Sequence, residues 1–236
     1  MVFTAQIGHQ DIKKYFKHMD DVFTLGAAPE LITSGVYPNA KEYAESCGAY
    51  KAYFKYLHRR IKPLYEDFSD CSRVHVYCVG DGRSPRTGTM FALRSPYRVF
   101  SIDPNMNTDK YVHVFYPRSQ RSMTEWSGQR VFGTHVQVSV ERLTCHKTKI
   151  EQFKQDIIPD VAVIVGVHCH VNLETILKSI KAYKHLYAIM MPCCMKLVSE
   201  EQRKWIIHEY HDEGIPSPHN KIYILDLPYN RLRDND

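Results

Sequence analysis

Two short apolar runs constrain this chain more than any other feature. Val161-Ala162-Val163-Ile164-Val165 and Tyr187-Ala188-Ile189-Met190-Met191 contain no charged residue. Strand-length segments that are apolar throughout, instead of alternating, belong to sheets covered on both faces. Further strand candidates are Val74-His75-Val76-Tyr77-Cys78-Val79, Tyr97-Arg98-Val99-Phe100-Ser101-Ile102, the alternating His135-Val136-Gln137-Val138-Ser139-Val140, and the run from Ile222 to Leu227. Helix-like segments fall between them, at 88–93, 147–155 and 172–183, with another starting at Ser199 and ending before Gly214. Asn172 stands where a helix cap is wanted, and Ser199 with Gln202 forms a capping-box pattern. Strands separated by helices predict an α/β, Rossmann-like fold with a mostly parallel sheet covered by helices.

The chain before the first strand reads differently. Residues 11–24 have amphipathic helical spacing through Ile12, Tyr15, Phe16, Met19 and Phe23. Gly26 to Pro38 is loop-like, and a second helix is expected from about Asn39 to Tyr65, with Pro63 breaking its last turn. The expected organisation is an N-terminal helical extension, 1–70, packed on a Rossmann-like domain, 71–236. Residues 104–133 are polar and irregular apart from Val112-His113-Val114-Phe115-Tyr116, which suits either a short strand or a lid.

At 236 residues, 44% hydrophobic and 24% charged, the chain is long enough for one sizeable core. No apolar stretch approaches the roughly 18 to 20 residues of a membrane span. The opening segment lacks the basic-then-apolar order of a secretory signal. With seven cysteines, an odd number, the expectation is reduced thiols in a cytoplasmic or nuclear protein. His168-Cys169-His170 and Cys193-Cys194 have ligand types that suit zinc. Adjacent cysteines lack finger spacing and point apart on a strand end, which favours packing or a substrate-facing role.

The most informative constellation is Val79-Gly80-Asp81-Gly82-Arg83-Ser84-Pro85-Arg86-Thr87-Gly88 at the end of the first strand, with Asp103 ending the next. Glycines there let the backbone turn tightly and approach a ligand. Asp103 lies 23 residues after Gly80, which suits a carboxylate that accepts hydrogen bonds from ribose hydroxyls. A nucleoside-type cofactor is the leading expectation. A pyrophosphate fingerprint would need glycine where Pro85 stands, so a nicotinamide dehydrogenase is a weaker reading.

This arrangement resembles the class I S-adenosylmethionine-dependent methyltransferases. The resemblance implies S-adenosylmethionine as cofactor, with Gly80, Asp81 and Gly82 on its methionine side and Asp103 on its ribose. It departs from the family pattern at Cys78, where an acidic residue is usual, and at Ser84, where the last loop glycine is usual. More loosely, it extends over about 71–227. It implies adenine neighbours at Val140, Glu141 and Arg142, and a fourth strand running into Gly166 and the histidine-cysteine turn. Met191-Pro192-Cys193-Cys194 is similar to a branch that includes tRNA 2′-O-methyltransferases. Asp226-Leu227-Pro228-Tyr229 only superficially matches the acidic turn of amino-directed members.

The expected activity is therefore methyl transfer to RNA, with a ribose 2′-hydroxyl as the favoured acceptor. His168 or His170 is the candidate base, because imidazole titrates near neutrality. Lys196 is a candidate for orienting a hydroxyl or phosphate. The RNA expectation draws on charge. The net charge is +5, and residues 71–150 hold 12 Lys/Arg against 5 Asp/Glu, with Tyr111, Tyr116 and Trp126 interleaved. The alternatives are methylation of a protein or small molecule, and a non-catalytic subunit that binds RNA or a protein partner.

Overall fold

In a computed structural model of the chain, residues 17–18, 35–64, 73–108, 142–193 and 199–228 are described. Helix α1 (Ala40–Ala52) begins where the Asn39 side chain accepts the Glu42 N–H at 3.0 Å. It continues through a π-helical turn, Tyr53–Leu57, a helical turn, His58–Ile61, and a 3-10 turn, Lys62–Leu64, which holds Pro63. Every residue of α1 from 43 to 50 is buried, so most of the helix lies inside the molecule. Ala44, Ser46, Cys47 and Ala49 are buried, together with Glu45.

The sheet has seven strands: β1 (Val74–Val79), β2 (Arg98–Ile102), β3 (Leu143–His146), β4 (Val161–Val167), β5 (His185–Met191), β6 (Ile206–His211) and β7 (Lys221–Leu227). Their order is β3-β2-β1-β4-β5-β7-β6. The first five run parallel, and β7 is antiparallel to both of its neighbours. The strands are separated by α2 (Arg86–Arg94) after β1 and α3 (Leu173–Ser179) after β4. The fold is Rossmann-like α/β. The inserted antiparallel β7 separates it from the 3-2-1-4-5-6 order of dinucleotide-binding sheets.

Side-chain alternation distributes each apolar strand between two cores. Val74, Val76, Cys78, Val161, Val163, Val165, Ile189 and Met191 face α1 and α2, where they meet Tyr50, Tyr53, Leu57 and Phe91. Tyr77, Val79, Ala162, Ile164, Ala188 and Met190 face the other way and meet Phe153, Leu173 and Ile176. The described part of the N-terminal extension thus shares one hydrophobic cluster with the sheet. Tyr53 donates to the Tyr97 hydroxyl at 2.8 Å and fixes the helix against the strand side.

Three expectations are corrected. The helix expected at 147–155 is only a 3-10 turn, Ile150–Gln152. There the Gln155 amide bonds the Tyr77 hydroxyl and the Lys181 backbone, and the chain is held extended instead. The helix expected from Ser199 forms its capping box, with Ser199 N–H donating to Gln202 Oε1 and Gln202 N–H to Ser199 Oγ. It stops after the 3-10 turn Glu201–Trp205, because Ile206–His211 pairs with β7 as a strand. The helix expected over 172–183 ends at Ser179, although Asn172 caps it as its type predicts. The strand expected at 135–140 and most of 104–133 lie outside the described residues, as does the helix expected at 11–24 apart from Lys17 and His18, which are helical. Among the described residues no helix is long and apolar enough to cross a membrane.

Candidate functional site

The carboxyl ends of β1, β2 and β3 meet around one cleft. β1 runs into Gly80, whose N–H donates to the Ile102 carbonyl at 2.9 Å, and the chain then turns through Gly80 (φ +73) and Gly82 (φ +81). Side chains are disfavoured in this left-handed region. At Gly80 a Cβ would also stand 3.2 Å from the Cys169 Cα, and at Gly82 it would stand 2.7 Å from Arg86 Nη2. The turn is therefore packed directly against the loop after β4, at the point where the sheet order reverses.

Asp103 closes the other side. Its Oδ2 accepts the Gly82 N–H at 3.0 Å and its Oδ1 accepts the Asn105 N–H at 2.7 Å. A carboxylate offers about four lone-pair sites, so each oxygen keeps capacity for a ligand hydroxyl. Gly82, Arg83, Asp103, Pro104, Asn105 and Lys147 line a cavity of about 440 Å³. Gly82 and Asp103 are thus brought together, as their spacing suggested.

The carboxylate of Asp81 turns inward instead. It accepts the N–H groups of Thr87 and Gly88, each at 2.9 Å, and the Ser101 hydroxyl at 2.6 Å. Pro85, at the N-cap of α2, supplies no side-chain bond, so Asp81 satisfies the helix's open donors from a distance. Burial pushes its carboxyl above the usual range, opposed by these hydrogen bonds and the Arg86 charge. Arg86 pairs with Glu42 of α1 and donates to the Asp81 carbonyl at 3.2 Å. Burial also holds nearby thiols in the neutral form. Cys78 is raised well above its ordinary value, and Cys145 is pushed up to about 12. Burial of this kind suppresses the reactive thiolate form.

Arg142 does not reach the cleft. It precedes β3, where its carbonyl accepts the Val99 N–H and its guanidinium donates to the Ala92 carbonyl at 2.8 Å. That is the amino end of the strand, whereas His146 and Lys147 occupy the carboxyl end. The strand that pairs with β2 is Leu143–His146, so its carboxyl end brings Lys147, which the sequence pattern did not mark, to the cleft. Arg83 and Asn105 were also missed, though each stands beside a residue singled out by the turn pattern. Glu141 lies outside the described residues.

Beyond the glycine turn, β4 extends one residue past Gly166, which is packed under Met190. His168 follows in a left-handed conformation (φ +52), its N–H donating to the Met191 carbonyl. Its Nε2 lies 2.6 Å from Oε1 of Glu45, a fully buried carboxylate on α1. His170 is exposed, with its Nδ1 3.6 Å from Cys193 Sγ. Lys196 and Cys194 lie outside the described residues. Among the described residues no group of three His, Cys, Asp or Glu side chains is arranged to hold a metal ion.

No protein-family profile and no curated protein matches the chain. Among solved structures, a 16S rRNA (adenine(1408)-N(1))-methyltransferase mutant from Catenulisporales acidiphilia is 12% identical, with 71% of this chain and 92% of that chain covered and a TM-score of 0.42. A 1,6-didemethyltoxoflavin-N1-methyltransferase from Burkholderia thailandensis, with bound S-adenosylhomocysteine, is also 12% identical, covering 95% and 92% at a TM-score of 0.39. Coclaurine N-methyltransferase is matched over 49% of this chain and only 30% of its own length, at 11% identity and a TM-score of 0.28. Likeness at this level carries no conclusion for this chain, whose reading rests on its own sheet and side chains.

Proposed function

We propose that the chain is an S-adenosylmethionine-dependent methyltransferase of the class I type. The observation that carries the reading is the cleft between Gly82 and Asp103. A glycine turn and an acceptor-only carboxylate, at neighbouring strand ends, suit a nucleoside whose ribose diol donates to Asp103. The ribose would be held by Asp103, with the Gly82 backbone beside it and Lys147 and Asn105 toward the base. The bound group would supply an electrophilic methyl on sulfur. Transfer of that methyl needs alignment of acceptor, methyl and sulfur more than covalent help. The inserted β7 and Pro85 in the turn both disfavour a nicotinamide dinucleotide in this cleft.

The acceptor would lie toward the ends of β4 and β5, beside His168 and Cys193. RNA, with a ribose 2′-hydroxyl as the methylated group, draws on the basic segment 71–150 and on Met191-Pro192-Cys193-Cys194. Within that segment Arg73 and Arg86 are paired with acids, Arg94 lies over the Tyr50 ring, and Arg142 bonds a carbonyl. Arg83, Arg98, Lys147 and Lys149 are exposed, as is the paired Arg73. With these four cations already partnered within the chain, a small-molecule acceptor is the second reading. Calorimetric titration with S-adenosylhomocysteine and, separately, NADH tests the cofactor. Binding of the former and silence of the latter are expected, and the reverse would sink the proposal. Binding to unfractionated RNA that weakens steeply with salt separates the RNA reading from the small-molecule one.

A further inference from the structure

We infer that Glu45 of α1 and His168 form a carboxylate–imidazole pair that takes the proton from the methyl acceptor, with Glu45 as the positioning residue. The inference deepens the methyltransferase reading and rests on it. Four observations meet at this pair. His168 stands at the carboxyl end of β4 with a left-handed backbone, a conformation that clusters at functional sites when held by its surroundings. The next residue, Cys169, packs against Gly80 of the cofactor-type turn. Glu45 is wholly buried and reaches His168 Nε2 at 2.6 Å across 123 residues of sequence. Finally, Glu45 Oε2 and His168 Nδ1 are both buried without a hydrogen-bond partner among the described residues.

Unpartnered buried polar atoms are rare and costly, and a free imidazole acceptor calls for a donor. The charged and titratable neighbours set the proton's place. Lys41, also on α1, lies 3.4 Å from Glu45 Oε1 and already offsets the carboxylate charge. Cys193, from the loop after β5, lies 3.9 Å from the His168 carbonyl and beside His170. In the inferred arrangement Glu45 orients the ring by accepting Nε2–H, which leaves Nδ1 as the base.

The acceptor class follows: a neutral hydroxyl or N–H that must lose its proton on methylation. The acceptor lone pair forms the new bond to the methyl carbon. The sulfur–methyl bond breaks, with its electron pair remaining on sulfur as a neutral thioether. An acceptor bound against the ring gives its proton to His168 Nδ1, and the resulting imidazolium is held by Glu45.

The ¹⁵N spectrum of His168 in the intact protein, near neutral pH, with and without S-adenosylhomocysteine, tests the pair. One ring proton on Nε2 is expected, and Glu45→Gln should spread that proton between both nitrogens. A doubly protonated ring, a proton on Nδ1, or a spectrum unmoved by Glu45→Gln would overturn the inference; the first is the signature of a merely structural ion pair. Transfer of labelled methyl to unfractionated RNA should fall about 100-fold in Glu45→Gln and in His168→Gln with cofactor affinity unchanged. Equal rates in the variants would also overturn it. Calorimetry on the wild type keeps the two readings apart: no binding of S-adenosylhomocysteine rejects the cofactor assignment whatever the imidazole signature.

Discussion

Asp81 and Asp103 stand either side of the same turn and do opposite work. Asp81 is held by three donors from inside the fold, whereas Asp103 accepts two backbone N–H groups and borders the cavity. Asp81→Ala removes a helix cap and leaves the Ser101 hydroxyl and two N–H groups unpaired. A loss of about 2–3 kcal/mol is expected, read as a lower urea midpoint. Gly80→Ala acts through the backbone. A side chain at φ +73, with its Cβ 3.2 Å from the Cys169 Cα, should cost about 1–3 kcal/mol in the same measurement. Equal midpoints for wild type and either variant would contradict the assigned role of that residue.

At the scale of elements, α1 depends on its cap. Asn39→Ala removes the bond to the Glu42 N–H and should lower stability by about 1 kcal/mol, measured by urea unfolding. Local chemistry of this kind was legible in sequence, as were β1, β4 and β5, because an apolar run of strand length has few other places to go. Ser199 and Gln202 show the limit of such reading. Their capping box forms, yet pairing with β7 turns the following residues into a strand. That pairing depends on residues ten or more positions away and leaves no local mark. The same limit applies to the site. Gly82 and Asp103 were legible because strand ends of a parallel sheet bring them together. Lys147 was hidden because nothing local marks Leu143–His146 as the strand beside β2, and Glu45 was hidden by its distance in sequence from His168. The inward role of Asp81 depends on Ser101 in a neighbouring strand, which spacing along the turn does not reveal.

At the scale of the molecule, a buried pair ties the N-terminal segment to the turn between β6 and β7. His18 Nε2 lies 3.3 Å from Asp212 Oδ2, and Lys17 lies 3.7 Å from the other oxygen. Burial lowers the His18 pKa, but its contacts with Asp212 and Cys47 outweigh that and leave it raised. Burial raises that of Asp212, but His18, the Gly214 N–H and Lys17 outweigh it and leave it lowered. The His18 contribution is therefore complete below the ordinary histidine value and is lost as pH rises through the raised one. The Asp212 contribution is complete above the ordinary aspartate value and is lost as pH falls through the lowered one. The pair stabilises most between about pH 4 and 6.5. The gap in urea midpoint between wild type and His18→Gln should be widest there and narrow as pH rises above the ordinary histidine value. A gap independent of pH would contradict the tie.

The fold gathers these parts so that the sheet's carboxyl edge carries both the cleft between Gly82 and Asp103 and the Glu45–His168 pair, with α1 supplying one member. Cofactor binding is the claim on which the rest depends. Calorimetric titration of S-adenosylhomocysteine into the wild type and Asp103→Ala tests it most directly. Binding to the wild type is expected, weakened about 10- to 100-fold in the variant by the lost charge-assisted hydrogen bonds. No binding to the folded wild type, or equal affinity in Asp103→Ala, would contradict the account.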